Sequence, residues 1–286
     1  MNTHAQDLRA DGPSGGATPR VYAVTSGKGG VGKTNIVGNL AVLFTRMGKR
    51  VLILDADLGL ANIDVLFGIH PDYTIQHVIS GEKTLNEVMV ETDEGIRVIP
   101  AGSGFTSLTS LTDGQKLHLM SEFEQLGPEA DIVLIDTGAG ISDNVIYFNL
   151  AAEVCIVVVT GEPTSITDAY AIMKIMSMEH GTKRFKLVVN MIPSEKEAKA
   201  VYESLVQAAD RFLDNVAIAY MGCILQDDYL RQSVLKRTPV TVRYPEAPSS
   251  EGLERVAERL LRCPRKHGDG NPLRFFITSY MDYRDG

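Results

Sequence analysis

The octapeptide Gly27-Lys28-Gly29-Gly30-Val31-Gly32-Lys33-Thr34 decides how the rest of this chain is read. It follows an apolar run, Val21-Tyr22-Ala23-Val24, and precedes a helix-forming segment from Ile36 to Met47. Strand, glycine-rich loop and helix in that order make a phosphate-binding P-loop. The glycines let backbone N–H groups turn inward on phosphate oxygens. The helix N-terminus adds partial positive charge at the same place. Gly27, Gly29, Gly30, Val31 and Gly32 form the cradle, Lys33 is placed for the β- and γ-phosphates, and the Thr34 hydroxyl for Mg²⁺. Lys28 is extra: an ordinary P-loop does not need it. From its early position it is poorly aimed at its own subunit's nucleotide, which points to a charge offered across a dimer.

Outward from this loop the chain alternates. Apolar strand-like runs fall at 21–25, 51–55, 96–99, 131–136, 154–160, 186–190 and 216–220. Helix-like segments fall at 33–47, 74–80, 84–91, 112–126, 143–151, 166–179, 194–212 and 227–236, and 249–262 reads as a closing helix. Continuous apolar strands that alternate with helices predict an α/β fold, a doubly wound, mostly parallel sheet flanked by helices. Residues 1–19 read as a flexible N-terminal arm and linker, 20–263 as the P-loop domain, and 264–286 as a linker and a terminal amphipathic helix.

Three carboxylates fall at strand ends: Asp55 and Asp57 in Asp-Ala-Asp, and Asp136 in Asp-Thr-Gly-Ala-Gly. Beside a P-loop such carboxylates serve Mg²⁺, directly or through water, which suits Asp55 and Asp136. Asp57 lies two residues past its strand and is the candidate to orient or deprotonate an attacking water. Lys33 and Asp57, with Lys28 beside them, are therefore the residues expected to act on a bound Mg²⁺–nucleotide.

The bulk numbers exclude several classes. A net charge of −8 argues against direct DNA binding, which needs cations to neutralise phosphates. Cys155, Cys223 and Cys263 form no CxxC, which argues for reduced thiols in a cytoplasmic protein. No apolar run of about 18 residues is present to span a bilayer. At the far end, Leu273, Phe276, Ile277, Tyr280 and Met281 repeat at i, i+3, i+4, i+7, i+8 after Pro272. Such a stripe suits reversible binding to a membrane surface, weak alone and strengthened when a dimer presents two copies.

The set Lys28-Gly-Gly-Val-Gly-Lys33-Thr34, Asp55-Ala-Asp57 and Asp136-Thr-Gly-Ala-Gly140 resembles the MinD/ParA class of deviant-Walker ATPases, over roughly residues 20–262. The resemblance implies a P-loop NTPase of the SIMIBI class with slow, switch-type hydrolysis. It implies an ATP-driven face-to-face homodimer in which Lys28 acts in trans and Lys33 in cis. It also implies Asn190 as adenine reader, Glu162 beside the neighbouring ribose, and Leu225 and Asp227 at the base. Leu225 replaces the proline of the class's Ile-Pro-x-Asp.

Within the class the chain most resembles the flagellar-number regulators of FlhG/FleN type, through residues 55–68, 98–104 and 162–171. That branch carries an N-terminal Asp-Gln-Ala-x-x-Leu-Arg motif that stimulates a signal-recognition-type flagellar GTPase. Here Ala5-Gln6-Asp7-Leu8-Arg9 is in register, with Thr3-His4 replacing the Asp-Gln pair. Leu8 and Arg9 are the implied activating residues. The resemblance further implies flagellar switch (C-ring) proteins and a flagellar transcription regulator as partners. It implies a cytoplasmic protein that becomes peripheral on the inner membrane when ATP-bound. The competing readings are a division-site selector, a DNA-partitioning ATPase and an iron–sulfur carrier; the last needs a cysteine pair at the dimer face.

Overall fold

Val21, Tyr22, Ala23 and Val24 are all buried, so the first apolar run is packed on both of its faces. A strand with that requirement belongs at the centre of a sheet. The computed structural model describes residues 19–57, 62–102, 111–125 and 130–265. Its strands are β1 (Arg20–Ser26), β2 (Val51–Ala56), β3 (Val90–Glu91), β4 (Arg97–Ile99), β5 (Ile132–Ala139), β6 (Val154–Val159), β7 (Arg184–Ile192) and β8 (Ala217–Leu225). They form one sheet in the order β3-β4-β2-β5-β1-β6-β7-β8. Every pairing is parallel except β3 with β4. The chain leaves β1 toward β2 on one side and returns to its other side at β6. The P-loop therefore opens at the carboxyl edge of the sheet where the winding changes direction, the usual ligand crevice of such folds.

Side chains of β1 alternate between the two faces, as strand geometry demands. Tyr22 and Val24 enter a core shared with α1 (Lys33–Arg46), α2 (Ile63–Phe67), α10 (Val240–Arg243) and α11 (Pro248–Arg262). Val21 and Ala23 enter the opposite core, against α3 (Ile75–Ile79), α4 (Leu85–Val88), α5 (Asp113–Gln125) and α6 (Asp143–Leu150). That layer continues through α7 (Pro163–Met178) and α8 (Glu195–Phe212), packed on β6 and β7. The remaining helix, α9 (Asp228–Leu235), follows β8.

Several expected boundaries shift. The helix expected over 84–91 stops at Val88, because Met89 turns to an extended ψ of 133°. Val90 and Glu91 then pair antiparallel with Val98 and Arg97. The helix expected from 166 begins at Pro163, whose fixed φ suits a first helical turn. β5, β7 and β8 run past their apolar cores, to residues 139, 192 and 225. The sequence showed no sign of α2 and α10, which are held by tertiary hydrogen bonds. The Asp55 carboxylate accepts from the amides of Asn62 and Ile63, and Asn39 Oδ1 accepts from Thr241 N at 3.0 Å. Leu8, Arg9 and the stripe Leu273, Phe276, Ile277, Tyr280, Met281 lie outside the described residues. Among the described residues no helix is long and apolar enough to cross a membrane.

Candidate nucleotide site

β1 delivers the loop and α1 receives it. Gly32 caps α1 with a φ of 89°, a left-handed conformation, and no side chain caps that helix. The first-turn N–H groups are thus left for an anion. The loop is clamped from two sides. A methyl group added at Gly27 would collide with the Asp168 carbonyl of α7, and one added at Gly32 with the Asn190 amide of β7. Asn190 Nδ2 donates to the Val31 carbonyl at 2.8 Å. The β7–β8 register breaks between Val189 and Ile192, where Met191 takes a φ of 53°. That irregularity occurs at the strand end carrying Asn190.

The two lysines have different surroundings. Lys33 is buried, and its ammonium donates to the Ser26 hydroxyl at 3.0 Å. Ser26 in turn donates to the Lys28 carbonyl at 2.6 Å. Burial pulls the Lys33 pKa down, and the charges of Asp136 and Asp57 oppose that pull. Lys28 is 36% exposed along its side chain. Its ammonium pairs with Glu162 and donates to Thr164 Oγ1 at 2.9 Å. Both partners sit at the start of α7, so within one subunit Lys28 is tied to that helix end.

Asp55 and Asp136 are register neighbours on β2 and β5, both 1% exposed. Burial raises the Asp136 carboxyl to about 7. The Thr34 hydrogen bond and Lys33 work against that rise, and Asp57 adds to it. The Asp55 carboxyl is also raised, by burial first and by Asp136 second. Asp55 accepts from the amides of Asp57, Asn62 and Ile63 at 3.1, 3.3 and 3.4 Å. Those bonds hold Asp57 and the start of α2 against the end of β2. Asp57 itself is half-buried beside Gly138, the side where the loop after β5 begins.

The expected Mg²⁺–nucleotide fits these residues. Asp136 Oδ1 and Asn190 Oδ1 are buried without a hydrogen-bond partner. A cation at Asp136 and a base amino group at Asn190 would supply what each lacks. No group of three or more His, Cys, Asp or Glu among the described residues is arranged to hold a metal. A Mg²⁺ ion here would rest on Thr34, one or two carboxylates and phosphate oxygens, its usual arrangement in such sites.

The two residues expected beside the base differ in what they do. Leu225 ends β8, with Gln226 N bonded to the Ile192 carbonyl at 3.0 Å. Asp227 uses both carboxylate oxygens on backbone: Oδ1 accepts from Leu230 N at 2.8 Å and Oδ2 from Ser249 N at 2.7 Å. It therefore caps α9 and α11 together. Ser26, Thr164 and Asp168 were not singled out from the sequence. Thr164 and Asp168 lie in the 162–171 segment that carries the resemblance, and Ser26 is a small polar residue closing an apolar strand directly before the loop.

A mostly parallel sheet with a P-loop after a central strand, and with carboxylates paired across β2 and β5 beside it, defines a P-loop NTPase. A sequence profile of the ParA family, described as NUBPL iron-transfer P-loop NTPase, matches residues 17–261. The antiactivator FleN of Pseudomonas aeruginosa is 41% identical over 264 residues, 92% of this chain and 94% of that protein. The flagellum site-determining protein YlxH of Helicobacter pylori is 35% identical over 242 residues, 85% of this chain and 82% of that protein. A solved MinC:MinD cell division complex from Aquifex aeolicus superposes with a TM-score of 0.72 at 25% identity, over 87% of this chain and 98% of that chain. The chain belongs to the ParA family of P-loop NTPases, in its MinD/ParA class, and is similar to FleN and YlxH.

Proposed function

We propose that the protein is an ATP-driven dimerising switch that sets flagellar number or placement from the inner membrane surface. The observation that carries this reading is the second loop lysine. The Lys28 carbonyl accepts from Ser26, but its ammonium stands apart from the buried Lys33–Ser26 pair and is tied at the edge of α7, partly exposed to solvent. A cation there can serve phosphates held by a facing subunit. The likeness to FleN and YlxH supplies the flagellar setting.

In this reading the P-loop amides and Lys33 bind the phosphates, and Thr34 and Asp136 would hold Mg²⁺ with Asp55 in support. Asn190 accepts from the adenine amino group, Leu225 and Asp227 shape the base side, and Glu162 meets the partner's ribose once Lys28 leaves it. When bound, Mg²⁺–ATP supplies the phosphoanhydride whose hydrolysis ends the dimer. Asp57 orients the attacking water and takes its proton. The terminal stripe Leu273 to Met281 holds the dimer on the inner membrane, and Leu8 and Arg9 act on a signal-recognition-type GTPase. Flagellar switch proteins and a flagellar transcription regulator complete the proposed partners, with no direct DNA contact.

Iron–sulfur carriage, which the profile's description evokes, needs paired thiols at the dimer face. Cys155 and Cys223 are buried in β6 and β8, and Cys263 follows α11. The deciding experiment is a count of flagella per cell after deletion of the gene in its parent organism. An altered count supports the switch. A normal count with displaced division septa replaces it with a division-site selector.

A further inference from the structure

A cavity of about 240 Å³ opens between the last turn of α1 and the α10–α11 segment. Leu43, Met47 and Pro245 give it apolar walls, and Arg46 and Glu254 stand on its lining with opposite charge. Neither Arg46 nor Glu254 is in an ion pair among the described residues, although both face the same space. Arg46 spends one N–H on the Thr241 carbonyl at 2.8 Å, which steadies it beside the opening. An apolar recess bordered by one unpaired cation and one unpaired anion asks for an apolar residue between an anion and a cation.

The chain holds such a triplet in its own arm: Asp7-Leu8-Arg9. The arm starts close by. Arg20 Nη1 donates to the Leu260 and Cys263 carbonyls at 3.3 and 2.8 Å, which ties the first residue of β1 to the end of α11. Along α11, Leu260 lies about 9 Å from Glu254, six residues at the helical rise. The ten residues between Arg9 and Arg20 can span roughly 33 Å when extended, so reach is ample. Size also favours this occupant. A recess this small takes one or two side chains, whereas the terminal stripe presents five apolar residues that need a groove.

We infer that this cavity is the resting site of the N-terminal arm, with Leu8 against Leu43, Met47 and Pro245, and with Asp7 and Arg9 paired to Arg46 and Glu254. Docked there, Leu8 and Arg9 are withheld from any partner. That regulatory consequence rests on the reading of the arm as a GTPase activator; the docking does not.

The test follows the ε-methyl NMR signal of Met47 in the full chain, assigned by Met47→Leu. Leu8→Ala and Arg9→Glu should each displace the signal, as should Glu254→Arg. The double variant Arg9→Glu/Glu254→Arg should return it toward the wild-type position, a rescue that a purely structural effect of either change would not produce. Phe276→Ser should leave it unmoved. A signal indifferent to Leu8→Ala and Arg9→Glu overturns the docking. A response to Phe276→Ser instead assigns the cavity to the terminal stripe, and a dependence on protein concentration assigns it to a second copy. ATP-dependent dimerisation of the same variants is read separately, so loss of docking with normal dimerisation leaves the switch standing.

Discussion

Lys28 and Lys33 lie five residues apart in one loop and meet different surroundings. Lys33 is buried with its charge answered by Ser26 and the neighbouring carboxylates, so its place is set by the fold. Lys28 makes an exposed pair, and such pairs contribute at most about 1 kcal/mol. Lys28→Ala should therefore leave the melting temperature of the monomer nearly unchanged while abolishing ATP-dependent dimerisation in size-exclusion chromatography. An ATP dimer that survives the substitution would remove the trans role. Asp57→Ala should still bind ATP and dimerise, with turnover lower by roughly 10²–10⁴-fold, the usual worth of a general base. Phosphate release close to wild type would take that role from Asp57. The three carboxylates were recognisable in the sequence as strand-end acids. Which of them keeps a free oxygen was not, because register places Asp55 beside Asp136 and burial leaves Asp136 Oδ1 without a partner.

At the scale of elements, the site depends on helix ends held from a distance. Asp227 caps α9 and α11 with its two oxygens, and one N-cap is worth about 1 kcal/mol. Asp227→Ala should therefore destabilise the nucleotide-free protein by about 2 kcal/mol. For a domain of this size that lowers the melting temperature by roughly 4–8 °C. Asp227→Asn, which keeps one acceptor oxygen, should lose about half as much. A melting curve indifferent to Asp227→Ala would show that the caps contribute nothing. The same logic explains what periodicity missed. α2 has five residues and α10 four, too short to carry a helical repeat, and each is fixed by a side chain remote in sequence. β3 was hidden inside a helix-like run because two residues of strand reveal themselves only through their partner, β4.

Across the whole molecule, the sheet separates two poles. The proposed nucleotide residues gather at the carboxyl edge, and Arg20 gathers residues 20 and 260–264 at the opposite edge. The two ends of the described chain, near residues 20 and 264, therefore lie at one pole. A single amphipathic stripe binds membrane weakly, and two on one dimer gain by avidity. Removing residues 272–286 should therefore end ATP-dependent co-sedimentation with anionic liposomes while leaving ATP turnover in solution. Persistent co-sedimentation would place the membrane contact elsewhere. By itself the sequence determined the parallel α/β sheet, the P-loop and the strand-end acids. Those features are local: runs of apolar residues, glycines at fixed spacing, and acids that close apolar runs. The tertiary structure alone decided that Lys28 rests on Glu162 and Thr164, that Asn190 braces the loop through Val31, and that Asp227 joins two helices. Each of those contacts links residues far apart in the chain, from 22 positions for Asp227 and Ser249 to 159 for Asn190 and Val31. No local pattern encodes such a pairing; it exists only once the strands have taken their order.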